Sequence, residues 1–268
     1  MWRPLCAIIE RELKWTVRQR GRLVSAMVRP LLWLLTVGVG FEAMLRETGS
    51  GNYRAFLVPG LLAMVLLFGA MLASLSMVYD RESGVLRMLI IAPFAHGWIV
   101  VARWISATLV GLVQAAMLLV LLGVLGYLSG DISVGLLAVG LVATSMACAS
   151  IGILIAVWTR ALDNFAVVMN FVIFPVFFLS GALYPVQHLP SWLKIVAAVN
   201  PFSYGVDLLK HATVTESASL FGADFALGVD LLVLAAFTAV AVVVAVIRFS
   251  QDSVLESFAR WLSDGRTH

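Results

Sequence analysis

AFLVPGLLAMVLLFGAMLASLSMVY, residues 55–79, runs for 25 positions without Lys, Arg, Asp, Glu or His. At 1.5 Å per helical residue it reaches about 37 Å, enough to cross a hydrocarbon core roughly 30 Å thick. A charge at the middle of a spanning helix costs on the order of 2.5–3.5 kcal/mol, so runs of this kind belong to membrane helices and seldom to soluble folds.

Outward from it the pattern repeats, at 23–45, 104–128, 133–158, 164–184 and 225–247. The reading is an all-α polytopic membrane protein with six transmembrane helices in a single domain, 1–268. The first span is the weakest, since Arg29-Pro30 interrupts its start and Glu42 its end; both charges are expected to snorkel to an interface. Composition agrees: 62% of the 268 residues are hydrophobic, 12% are charged, and the mean hydropathy is +1.00. The net charge of +3 does not point to nucleic acid, because the basic residues flank apolar runs and form no aromatic-interleaved face. Cys6 and Cys148 suggest neither a disulfide framework nor a metal site. No cleavable leader is evident in the charged segment 1–22.

Counted on alternate sides of the six spans, 14 Lys and Arg fall on one side and four, Arg46, Arg54, Lys194 and Lys210, on the other. The positive-inside rule then puts both termini in the cytoplasm and the 40-residue connector 185–224 outside. Segment 1–22 sets Trp2, Leu5, Cys6, Ile9, Leu13 and Val17 on one helical face and Arg3, Arg11, Lys14, Arg18 and Arg22 opposite, the pattern of a helix lying among inner-leaflet headgroups. It reads as a membrane-surface anchor or, more sharply, as a gating or partner-contact element.

Two connectors stand out. In 80–103 the charges Asp80, Arg81, Glu82 and Arg87, with Gly84, precede an apolar run ending at Pro93; a short helix beginning with the acidic residues would form a peg over about 80–95. In 185–224, Pro185, Pro190 and Pro201 cut out two apolar stretches of about nine residues, 191–199 and 202–209, each too short to span; they read as a re-entrant hairpin. Phe171, Phe174, Phe177, Phe178 and Tyr184 lead into it, with Pro175 expected to break the fifth span. An interfacial aromatic belt and a substrate-contacting gate are both open readings.

The sequence Asp80-Arg81-Glu82-Ser83-Gly84-Val85-Leu86-Arg87-Met88-Leu89, then Ala92-Pro93, resembles the permease subunits of ABC-2 type exporters. So do Phe174-Pro175, Phe178-Leu179-Ser180-Gly181, Tyr184-Pro185, Leu189-Pro190, Trp192-Leu193 and Asn200-Pro201-Phe202-Ser203-Tyr204. The resemblance implies that Asp80, Arg81, Glu82, Gly84, Arg87 and Pro93 belong to a cytoplasmic coupling helix seated on an ABC ATPase subunit. It implies that Phe174, Phe177, Phe178, Tyr184, Asn200, Pro201 and Tyr204 lie along the substrate pathway or outer gate, and that two permeases pair with two ATPases. Val85 and Arg87 stand where many members have Thr and Glu.

ATP and Mg are expected on the partner, not on this chain, because no G-x-x-x-x-G-K-[ST] is present and each of the three lysines follows a leucine. The four histidines show no metal-ligand spacing. The expectation is a cytoplasmic-membrane exporter subunit, a homodimer among lipids, moving an amphipathic glycolipid, polysaccharide or drug-like substrate outward between its copies. The rivals are a non-transporting scaffold or regulator, and an intramembrane enzyme, for which only Asp230 and Glu42 come near the spans.

Overall fold

The computed structural model describes residues 2–18, 20–40, 53–85, 97–128, 132–214 and 222–264. Nine α-helices cover most of them: α1 (Trp2–Arg18), α2 (Arg20–Trp33), α3 (Tyr53–Glu82), α4 (Gly97–Val124), α5 (Val134–Trp158), α6 (Leu162–Phe178), α7 (Ser191–Val199), α8 (Pro201–Thr213) and α9 (Leu227–Asp264). There is no strand among the described residues.

Four of these helices, α3, α4, α5 and α9, carry stretches long and apolar enough to cross a membrane. The first and fifth expected spans correspond to shorter apolar helices, Ala26–Gly38 and Leu162–Phe178. Position 42 and the rest of 41–52 lie outside the described residues. Pro30 removes one ladder bond from α2, and one turn later the helix widens into a π-turn, Leu34–Gly38.

α3 is apolar on every side, and a helix of that kind is buried on every side. It packs chiefly against α4 and α5. Lipid tails are as apolar as leucine, so close approach and hydrogen bonds between helices hold such a bundle together. Ser145 Oγ of α5 donates to the Thr108 carbonyl of α4 at 2.8 Å, and Trp104 Nε1 of α4 donates to Ser150 Oγ at 3.0 Å. Thr144 Oγ1 ties α5 to the Gly205 carbonyl of α8 at 3.2 Å. At Gly60 a Cβ would collide with the Ala182 carbonyl oxygen, so only glycine lets α3 run this close to the turn after α6.

Three expectations are corrected. Asp80, Arg81 and Glu82 do not begin a separate helix: they form the last turn of α3, and Gly84, at φ +79°, follows its end. Pro175 does not break the fifth span; α6 runs through it to Phe178, because a proline this close to the C-terminus still finds α-helical neighbours on both sides. Arg29 does not snorkel to an end. Its guanidinium carbon lies 3.8 Å from the centroid of the Phe68 ring, and Phe68 is the middle of the stretch Phe56–Glu82. A cation over an aromatic face gains about 0.5–2 kcal/mol, less than the roughly 2.5–3.5 kcal/mol of placing it at that depth.

Candidate functional site

The buried ion pairs among the described residues gather in two places. At one end α1 is fastened to α3 and α4 by charge. Arg103, 2% exposed and six residues into α4, donates Nη1 to Glu12 of α1 and Nη2 to Asp80 of α3, with Ser76 Oγ at 3.1 Å from Nη1. Arg11 of α1 reaches the same Asp80 carboxylate at 2.6 Å. Two carboxylates thus face two guanidiniums, and three of the four groups are largely withdrawn from solvent. The outward face of α1 behaves differently: Lys14 pairs with Glu10 and holds that exposed carboxyl below its ordinary range.

The next two residues face the connection from α5 to α6. Arg81 Nη1 donates to the carbonyls of Val157 and Thr159 at 3.1 and 3.0 Å, a cation at the C-terminus of α5. Glu82 accepts from the Leu162 amide at 3.0 Å, a carboxylate at the N-terminus of α6. Asp80 therefore pairs with this chain's own guanidiniums, and Arg81 and Glu82 with its own helix ends. Ser83 is exposed and Gly84 half-buried, while Arg87 and Pro93 lie outside the described residues.

The hairpin expected over 185–224 contains the two helices the prolines mark, α7 and α8, joined at Asn200. Asn200 caps α8: its Oδ1 accepts from the Phe202 amide at 3.1 Å, and its Nδ2 donates to the Val176 carbonyl at 2.7 Å. Pro201 takes the first helical position, where a missing N–H costs nothing. The arms differ sharply. α8 is buried from Phe202 to Lys210, whereas α7 buries only Ala197.

The aromatic set divides in the same way. Phe177 is buried, edge-on to Trp33 at 6.3 Å and to Phe178 at 5.7 Å, with Phe202 at 6.4 Å. Tyr204 donates to the Ala198 carbonyl at 2.7 Å and packs on Phe225. Tyr184 donates to the Phe178 carbonyl. Only Phe174, 55% exposed, faces outward, with Phe171 beside it at 80%.

Under α8 lies a cluster that spacing in the sequence did not reveal. Asp207 accepts the backbone amides of Asp224 and Phe225 at 2.7 and 2.9 Å. Lys210, counted from sequence among exterior charges, is 1% exposed and donates to Asp224 at 2.6 Å. His211 Nε2 stands 3.6 Å from Asp230 and 3.0 Å from the Phe225 carbonyl. Asp207, His211 and Asp230 offer three ligand-type atoms within 4.8 Å, the donors here that could hold a cation. The lysine inside the group and the carbonyl on Nε2 make the arrangement first an ionic lock between α8 and the start of α9. The helical offset of Asp207 and His211, i and i+4, was the available signal.

A bundle of membrane-spanning helices with an amphipathic helix bound by charge to one end and a buried hairpin arm locked at the other is an integral membrane permease. More narrowly, the chain belongs to the ABC-2 type transporter family, whose profile matches residues 3–213. Among its relatives, a protein named transport permease ycf38 from Cyanophora paradoxa is 28% identical over 82% of this chain and 79% of its own length. Nodulation protein J of Rhizobium leguminosarum bv. trifolii is 27% identical over 74% and 76%. A multidrug ABC transporter permease of Escherichia coli, YbhR, is 27% identical over 62% of this chain and 46% of its own. Membership of this family implies an ABC ATPase as the partner.

Proposed function

We propose that the chain is the membrane subunit of an ATP-driven exporter of the cytoplasmic membrane, moving an amphipathic substrate outward between two copies of itself. The observation that carries the reading is the buried Glu12–Arg103–Asp80 junction. It couples a helix with the polarity of a headgroup-plane element to the inner ends of two spans, just before the segment that resembles the ATPase-seating motif. Force applied to that segment would reach α1 and the bundle together. Asp80, Arg81 and Glu82 act in this proposal as its mounting, and the residues after them, Gly84, Arg87 and Pro93 included, as the contact with the ATPase. Both termini are cytoplasmic, all six apolar helices cross, and ATP with Mg is bound by the partner.

One feature supports pairing of copies. Asn170 sits exposed on α6 beside Phe171 and Phe174, and no hydrogen bond holds it among the described residues. An amide at membrane depth is satisfied most readily by another helix. The names of the relatives, a multidrug permease among them, favour amphipathic cargo.

The test is copurification. The full-length chain, tagged and extracted in mild detergent, should bring down an ATPase whose hydrolysis depends on the permease. A chain that purifies with no ATPase, from cells expressing its neighbouring genes, would leave the scaffold reading in place.

A further inference from the structure

Arg29, Phe68 and Gln114 bring an exposed cation and a buried amide to one cavity midway along the bundle, open at its surface beside α2. The cavity, about 210 Å³, lies between α2, α3 and α4, and its walls are otherwise apolar, with Pro30, Met64 and Leu72 among them. It has room for several water-sized groups or one compact headgroup. Gln114 is only 4% exposed and lines this cavity, with no hydrogen-bond partner among the described residues. Arg29 has the Phe68 ring as its neighbour and no carboxylate among the described residues.

Depth makes this unusual. Phe68 stands 12 residues from Phe56 and 14 from Glu82, roughly 18 and 21 Å along the helix. Gln114 stands 17 residues from Gly97 and 10 from Val124, again away from both ends. An ionisable side chain held at such depth faces a pathway or a bound counter-ion as a rule, and an amide without a partner has the same need. The guanidinium fork and the amide N–H₂ together suit an oxyanion, while the apolar walls suit the chain attached to it.

We propose that this cavity binds the acidic headgroup, phosphate or carboxylate, of an amphipathic molecule held within the membrane. The inference rests on the permease reading and narrows its cargo to acidic amphiphiles. It differs from a plain lipid contact in requiring charge, and from a free-anion site in requiring a tail.

The test reads binding on the full-length permease with whatever ATPase accompanies it, as the shift in melting temperature in an uncharged detergent. Dodecyl phosphate and dodecanoate should stabilise wild type saturably; dodecanol and inorganic phosphate should not. Arg29→Gln should weaken half-saturation by about tenfold, the effect of losing one charge-assisted contact. Arg29→Lys should keep part of the response, and Gln114→Leu should lower it. If Arg29→Gln does not insert, the Lys and Leu variants decide by the same comparison. Repeating the titration in nanodiscs with and without phosphatidylglycerol identifies the source. Competition by that lipid marks a membrane phospholipid, and its failure to compete marks a separate cargo. Equal shifts from dodecanol or inorganic phosphate, no saturable shift in wild type, or unchanged half-saturation in Arg29→Gln and Gln114→Leu would each overturn the proposal. Binding needs no hydrolysis, so an absent ATPase would sink the exporter reading and leave this result standing.

Discussion

Arg103 shows how far a residue's role can lie from its sequence context. Read along the chain it is a loop charge that reports orientation; in the fold its partner Glu12 is 91 positions away and Asp80 is 23 positions away. No periodicity carries such a pairing. Breaking a buried ion network by removing one member leaves the others uncompensated, at about 3–5 kcal/mol. Arg103→Met should therefore lower membrane abundance and melting temperature markedly, measured by fluorescence-detected gel filtration; a variant as abundant and stable as wild type would show that the junction adds nothing to folding. The cluster under α8 gives a finer contrast. Asp207 accepts two backbone amides, whereas neither oxygen of the fully buried Asp230 has a hydrogen-bond partner among the described residues. Asp207→Asn replaces one acceptor with a donor facing an N–H and should cost about 1.5–3 kcal/mol. Asp230→Asn alters a carboxyl that accepts no hydrogen bond among the described residues, with the His211 ring nearby at 3.6 Å, and should leave the melting temperature unchanged or higher. The reverse order of the two variants would show that Asp230, not Asp207, anchors α9.

Among the helices, prolines made the two short ones legible: Pro190 and Pro201 precede and open α7 and α8 as expected, and Asn200 supplies the cap. The apolar runs likewise located α3, α4, α5 and α9. What hydropathy could not supply was the end of each element. α3 continues through charged Asp80–Glu82 because partners on α1, α4 and the α5–α6 connection satisfy those charges, and hydropathy is blind to a satisfied charge. Nor could it separate Phe177 from Phe174, three positions apart on α6, the one buried and the other 55% exposed. Truncating a buried phenylalanine costs about 3–5 kcal/mol, so Phe177→Ala should deplete the protein from the membrane. Phe174→Ala should keep wild-type abundance and change substrate-stimulated ATP hydrolysis. Equal abundance of both variants would contradict the packing seen at Phe177. For the connectors, cysteine at Gln187 should react with an impermeant thiol reagent in intact cells and cysteine at Ser83 should not, both being exposed in the fold. Labelling at Ser83 alone would invert the topology.

At the scale of the whole molecule, the uncovered surfaces differ in chemistry. α9 presents an aliphatic stripe, Leu232, Val240, Val243 and Ile247, which lipid tails satisfy without help. α6 presents Val167, Asn170, Phe171 and Phe174 at helical spacing, a stripe with an amide in it. Lipid offers that amide nothing, so the proposed pairing assigns the α6 stripe to the second copy of this chain. If the copies meet there, Phe171→Cys should form disulfide-linked dimers on mild oxidation in membranes, whereas Val240→Cys on α9 should stay monomeric. Of the two native cysteines Cys148 is buried and does not compete, and Cys6 is replaced by Ser in both variants. Hydrogen bonds between membrane helices contribute about 0.6 kcal/mol on average, so adding Asn170→Leu should lower the Phe171→Cys dimer yield by about threefold without abolishing it. Cross-linking at Val240 in preference to Phe171 would place the partner on α9 and move the proposed pathway to that side of the bundle.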